Sequence, residues 1–232
     1  MDQLPLGLRL ADRAVFATFW PQGNEQLIAH LRDIAAGGAA GMSWLAGPHA
    51  SGKSHLLQAS CAHAPAARRC GFFPLARLRG LGPAALEGLP RLDLVCLDDV
   101  QLAAGDAHWE AALFGLYRGI EESGGSLIAA APERPTALPW GLKDLASRFA
   151  AATIHTLRPL DEAAQRDALM LRAGVRGFEL PEDVARWLQR RYPRDMATLY
   201  QLLDTLDSAA LVAQRRLTVP FIRSVLLRRA QS

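Results

Sequence analysis

Met42-Ser43-Trp44-Leu45-Ala46 followed by Gly47-Pro48-His49-Ala50-Ser51-Gly52-Lys53-Ser54 is the stretch on which the fold turns. A short apolar run, a GxxxxGK[ST] loop and a helical segment from Ser54 to Ala62 follow one another without a gap. That order is the strand-loop-helix context in which such a loop wraps a phosphate. Its backbone N–H groups point at the anion, and glycine lets the chain approach without a Cβ. Lys53 is then expected to bridge the terminal phosphates of a nucleotide, and the Ser54 hydroxyl to ligate Mg2+.

Leu94-Val95-Cys96-Leu97-Asp98-Asp99 supplies the second half of that site, about 45 residues downstream of Lys53. A buried strand ending in two carboxylates delivers them to the magnesium shell. Asp98 is expected to hold the metal and Asp99 to orient an attacking water. His49 and His55 flank the loop, but no cysteine or second histidine lies at zinc-ligand spacing, so the only metal implied is magnesium.

Working outward, short apolar runs alternate with longer mixed segments between about residues 41 and 157. This is the rhythm of a parallel α/β sheet covered by helices. The expected strands are Met42 to Ala46, Gly71 to Leu75, Leu92 to Leu97, Leu127 to Ala131 and Thr153 to Leu157. Leu27, Ile28, Leu31 and Ile34 form a helical stripe ahead of them, ended by Gly37-Gly38. The Gly-, Pro-, Arg- and Leu-rich segment 76–91 lacks periodicity and reads as loop plus a short helix. From Arg158 onward the pattern is helical only, broken at Gly174 to Gly177, at Tyr192-Pro193 and near Leu217. Leu199, Leu202, Leu203 and Leu206 mark the third of these helices, and Thr218 with Pro220 the start of a fourth. The expected division is a terminal arm over 1–10, an α/β domain over 11–157 and a small helical domain over 158–232.

Half of the 232 residues are hydrophobic, enough for a sizeable core. The 26 basic and 23 acidic residues leave a formal charge of +3, too weak to attract nucleic acid or anionic lipid by itself. Cys61, Cys70 and Cys96 are odd in number and make no CxxC pair, which suits reduced thiols in a cytoplasmic protein. The longest apolar runs fall well short of the roughly 20 residues of a membrane span, so no membrane partner is expected.

Asp98-Asp99-Val100-Gln101 with Ala104-Gly105, Phe16-Ala17-Thr18-Phe19 with Gly23-Asn24, and Asp144-Leu145-Ala146-Ser147-Arg148-Phe149 together resemble the DnaA/Hda group of AAA+ P-loop ATPases. Within the group the likeness is greater to Hda, the smaller homologue that inactivates the replication initiator DnaA. Phe19-Trp20-Pro21, Ser54-His55-Leu56-Leu57, Gly177 to Val184 and Ala213 to Phe221 carry it.

The resemblance implies nucleotide contacts from Gly47, Pro48, His49, Ala50, Ser51, Gly52, Lys53, Ser54 and His55. It makes Arg148 an arginine finger, a planar cation that stabilises charge on a phosphoryl group held by a neighbouring subunit. Arg194 falls where the group's sensor 2 arginine reaches from the lid to the nucleotide, with Arg190 and Arg191 as competing assignments. Phe16, Phe19 and Trp20 would line an adenine pocket, or else serve only as packing. Gln3-Leu4-Pro5-Leu6-Gly7-Leu8 resembles the sliding-clamp-binding peptide of Hda, with Gln3 hydrogen-bonded and Leu4, Leu6 and Leu8 as its apolar contacts. The implied partners are DnaA and the clamp, with DNA reached mainly through the clamp and a homo-oligomer possible in principle. The implied ligand is ADP or ATP with Mg2+.

The sequence departs from the superfamily pattern at one place. The strand beside Asp98 ends Ala129-Ala130-Ala131-Pro132, where a polar sensor 1 side chain would help position the lytic water. The sensor is either lost or replaced by Glu133 or Thr136, and weak hydrolysis by the chain itself is expected. After the helical segment, a DnaA-type DNA-reading domain would need roughly 100 further residues, so origin-specific binding is not expected. The alternative function is a DnaC-like helicase loader that hydrolyses its own ATP on single-stranded DNA; a third is a module in which nucleotide is only a structural ligand.

Overall fold

The computed structural model describes residues 14–192 and 196–213, with residues 220 and 222. It divides into two compact units, one holding Gly23–Arg158 with the segment ending at Phe16, the other Ala17–Gln22 with Pro159 onward.

In the first unit, strands β1 (Gly41–Ala46), β2 (Cys70–Pro74), β3 (Leu94–Asp98), β4 (Ser126–Ala131) and β5 (Thr153–Thr156) form one sheet in the order β2-β3-β4-β1-β5. Every neighbouring pair is parallel. Strands β3 and β4 are buried at every residue and apolar except for Asp98 and Ser126, as suits strands with neighbours on both sides and helices on both faces. The edge strands β2 and β5 are only half-buried. Each strand differs from the sequence reading by one or two residues at an end, and two of these limits have a visible cause. Leu92 and Asp93 precede β3, because the 3-10 turn Leu89–Arg91 and the bond from Asp93 N–H to the Arg69 carbonyl (2.8 Å) occupy the chain there. Leu75 opens α3 (Leu75–Leu78) rather than closing β2, and three 3-10 turns carry the chain from Arg79 to Arg91.

Around the sheet lie α1 (Glu25–Ala36), α2 (Lys53–His63), α4 (Ala107–Ser123) and α5 (Lys143–Ala150). Helix α1 buries Leu27, Ile28, Leu31 and Ile34, the stripe legible in the sequence. Helix α4 is capped by Asp106, whose carboxylate accepts from the N–H groups of His108 and Trp109. The rings of Trp44 and Phe149 lie 5.3 Å apart, and the Trp44 indole N–H donates to the Glu133 carbonyl at 2.9 Å. One buried tryptophan thereby ties the loop-bearing strand β1 to α5 and to the chain leaving β4.

The second unit is helical: α6 (Glu162–Val175), α7 (Glu182–Arg191) and α8 (Met196–Ala213). Leu169, Val184, Leu188, Leu199, Leu203 and Leu206 form its core with Ile222, and Trp20 packs against it. Asp161 caps α6 through the Ala164 N–H at 2.8 Å. Arg172 is buried with its guanidinium 4.2 Å from the centre of the Tyr200 ring, and burial pushes the Tyr200 hydroxyl up to about 12. Pro220 and Ile222 are helical where a fourth helix is expected; Thr218 lies outside the described residues. Among the described residues no helix is long and apolar enough to cross a membrane.

Candidate functional site

The loop Gly47–Gly52 leaves β1 at the C-terminal edge of the sheet and enters α2 at Lys53. Its turn uses two left-handed positions, Ala50 (φ 60°) and Gly52 (φ 96°), the second being the cap from which α2 starts. Gly47 is required for a different reason. A Cβ there would stand 2.8 Å from Ser51 Oγ, 3.1 Å from Leu157 Cβ and 3.2 Å from the Leu157 carbonyl. The Gly47 N–H meanwhile donates to the carbonyls of Ala131 (3.3 Å) and Pro132 (3.1 Å), so the end of β4 fixes the start of the loop.

Lys53 is buried and turned into the loop. Its ammonium donates to the carbonyls of Gly47 (2.6 Å) and Pro48 (2.8 Å) and lies 3.5 Å from Ser51 Oγ. Burial lowers its pKa, against the pull of the Asp98 and Asp99 charges. Asp98, only 4% exposed, ends β3 opposite, and burial raises its pKa. The Ser54 hydroxyl beside Asp98 favours the carboxylate, while the Asp99 charge disfavours it. Ser54 and Asp98 are neighbours, two hard oxygen donors of the kind Mg2+ takes. The lysine-lined loop, crowded at Gly47 and opening at a helix N-terminus, fits a nucleotide's phosphates. Bound magnesium would supply charge neutralisation to them, held by Ser54 and Asp98.

Asp99 has a left-handed backbone (φ 58°), and its carboxylate accepts from the Gln101 amide at 3.4 Å. His49 and Pro48 are exposed at the loop's outer side. His55 Nε2 lies 2.9 Å from the Val15 carbonyl, tethering the segment before Phe16 to α2. Phe16 is buried in the first unit, with His63 edge-on at 5.5 Å and Arg32 at 5.3 Å from its ring centre. Phe19 and Trp20 are half-buried and belong to the second unit. Gln3, Leu4, Leu6, Leu8 and Arg194 lie outside the described residues.

At the sensor 1 position, β4 carries Ala129, Ala130 and Ala131, all fully buried, while Glu133 and Thr136 are exposed beyond it. The topology places β4 between the loop-bearing β1 and the carboxylate-bearing β3, so this apolar end faces the middle of the site.

Arg148 lies far from the loop. It sits in the last turn of α5, and the chain then turns into the start of β5, level with Ser43 of β1. That is the N-terminal edge of the sheet, one strand length from Gly47–Ser54, or about 15 Å at 3.3 Å per residue. Its side chain is 52% exposed, 3.6 Å from a Glu121 carboxylate oxygen and 5.7 Å from the centre of the Tyr117 ring.

A buried carboxylate went unseen in the sequence. Glu110 of α4, 1% exposed, accepts from the N–H groups of Gly105 (2.7 Å), Gly141 (3.1 Å) and Leu142 (2.6 Å). It joins the loop after β3 to the residue that opens α5, and so sets the helix that carries Arg148. No local motif marks it, since its partners lie up to 32 residues away in sequence.

Residues 161–226 match the family described as Hda, lid domain. Among solved structures, domain III of the Thermotoga maritima replication initiation protein DnaA superposes with a TM-score of 0.75 at 20% identity, covering 93% of this chain and 96% of that one. AMPPCP-bound DnaA from Aquifex aeolicus gives 0.66 at 18% identity over 84% of this chain and 66% of its own. The Thermotoga maritima RuvB Holliday junction branch migration motor gives 0.61 at 15% over 88% and 68%. At such identities these likenesses define the fold, and the loop, the carboxylate strand and the separate helical unit together make the chain a AAA+ P-loop protein, a class whose members bind nucleotide. Over residues 161–226 its helical unit is similar to the Hda lid, and its fold is that of DnaA domain III.

Proposed function

We propose that this chain is an Hda-like regulator of replication initiation that acts on ATP held by DnaA. In this reading Gly47–His55 bind ADP or ATP, with Ser54 and Asp98 on the magnesium. Arg194 serves as the sensor 2 arginine for the nucleotide, and Phe16, Phe19 and Trp20 as the contacts of its base. The arm Gln3–Leu8 docks on the DNA-loaded sliding clamp in the cytoplasm, and Arg148 completes the partner's site. The chain's own hydrolysis is weak, consistent with the apolar end of β4.

The position of Arg148 is the observation that carries this reading. A half-exposed guanidinium one strand length from its own phosphate loop is badly placed to serve that loop and well placed to serve a neighbour's. The test is Arg148→Ala. Nucleotide and clamp binding should stay native, while stimulation of DnaA-bound ATP hydrolysis falls about 10³-fold or more. Undiminished stimulation would remove the mechanism. A self-hydrolysing loader would instead show DNA-stimulated turnover lost on Asp99→Asn.

A further inference from the structure

Arg148 does not stand alone on its edge of the sheet. The two side chains that hold it, Tyr117 and Glu121, also line a cleft of about 270 Å³. Buried Ile120 and Leu127 with half-buried Met42 form its floor, and exposed Ala40 stands at its mouth. The Tyr117 hydroxyl donates to Glu121 at 3.3 Å, so the carboxylate at the rim is held by a phenol on one side and by the arginine on the other.

Glu121 has consequences when Arg148 is used. A guanidinium that reaches out to a neighbour's phosphate leaves Glu121 with only the Tyr117 hydroxyl, beside an apolar hole at the edge of a forming interface. A carboxylate being desolvated there needs a replacement cation. A long basic side chain meets both demands, its aliphatic stem covering the apolar floor and its head pairing with the rim carboxylate. A cleft of this size suits one inserted side chain rather than a docked peptide strand.

Resting on the reading of Arg148 as a finger acting on another molecule, we infer that this cleft receives an arginine or lysine of the ATP-bearing partner, which takes over Glu121 as Arg148 leaves it. The exchange makes the finger's release and the partner's docking one event, and it puts specificity for the partner in Glu121 and the cleft rather than in Arg148 itself.

The experiment titrates the nucleotide-bound full chain against ATP-loaded DnaA in the presence of DNA-loaded clamp, reading the half-saturating concentration separately from the plateau rate. Ala40→Trp closes the mouth and Glu121→Lys reverses the rim charge, both at exposed positions at the far end of the sheet from the phosphate loop. Each should raise the half-saturating concentration about tenfold or more while the chain's own nucleotide affinity and melting midpoint stay native. Half-saturation at the native concentration by both variants would overturn the inference, as would a change in plateau rate alone. Arg148→Ala separates the two readings: it should remove the plateau. A retained plateau together with weakened Ala40→Trp and Glu121→Lys would sink the finger and keep the cleft, and absence of stimulation by the native chain would sink both.

Discussion

Asp98→Asn should make the chain more stable and a worse ligand for nucleotide, two effects of opposite sign from one buried oxygen-for-nitrogen change. Among the influences on Asp98, burial is the largest and the attraction of Lys53 the smallest, so the carboxylate is held in its place at a net cost. Asparagine keeps the shape, and its side-chain oxygen can still accept from the Asp99 N–H, a bond of 3.0 Å in the native chain. What it removes is the desolvated charge and its repulsion with Asp99. Because the folded pKa of Asp98 is raised, its contribution favours the fold fully below the unfolded value of 3.8 and is lost as pH rises through the folded one. Native and variant chains should therefore melt together near pH 4 and separate as pH rises. Each pH unit of that lift is worth about 1.4 kcal/mol at neutral pH. At roughly 2–4 °C per kcal/mol for a chain of this size, the variant's midpoint should stand about 3–6 °C higher per unit. Binding moves the other way, since loss of a charged magnesium ligand at about 1.5–3 kcal/mol weakens Mg-nucleotide about tenfold to a hundredfold. Melting curves from pH 4 to 8, with and without Mg-ADP, read both effects. A variant destabilised at pH 7, or a gap that fails to close toward pH 4, would refute the account of a carboxylate kept ionised against its burial.

Two further substitutions probe how the site is held. Gly47→Ala drives a methyl toward the Leu157 backbone at 3.2 Å and strains the bonds from Gly47 N–H to β4, so a cost of about 1–3 kcal/mol and at least tenfold weaker nucleotide are expected by melting and fluorescence titration. Native affinity would mean the loop has slack there. Glu110→Ala orphans three backbone N–H groups and should cost about 3 kcal/mol or more, a midpoint fall on the order of 10 °C. Its stimulation of DnaA-bound ATP hydrolysis should fall more than its nucleotide binding, because α5 is the element released; equal losses in both would make Glu110 a general structural residue.

Much of this protein is local and was legible as such. The loop Gly47–Ser54, the strand ending in Asp98-Asp99 and the α1 stripe depend on spacing along a single element, because steric freedom at glycine and helical periodicity act over a few residues. The strand limits at Leu75 and Leu92 are not legible in this way, because the turns beside them compete for the same backbone groups. Only the tertiary structure decided the strand order, and with it which ends meet. Inserting β4 between β1 and β3 sets three buried alanines in the middle of the phosphate site and fixes Gly47 by carbonyls some 85 residues downstream. It also decided that Arg148 stands at the opposite edge of the sheet, held by Glu121 and Tyr117 beside a cleft, with α5 anchored by Glu110. Those relations join residues distant in sequence through hydrogen bonds, charge and burial, and no periodicity in the chain encodes them.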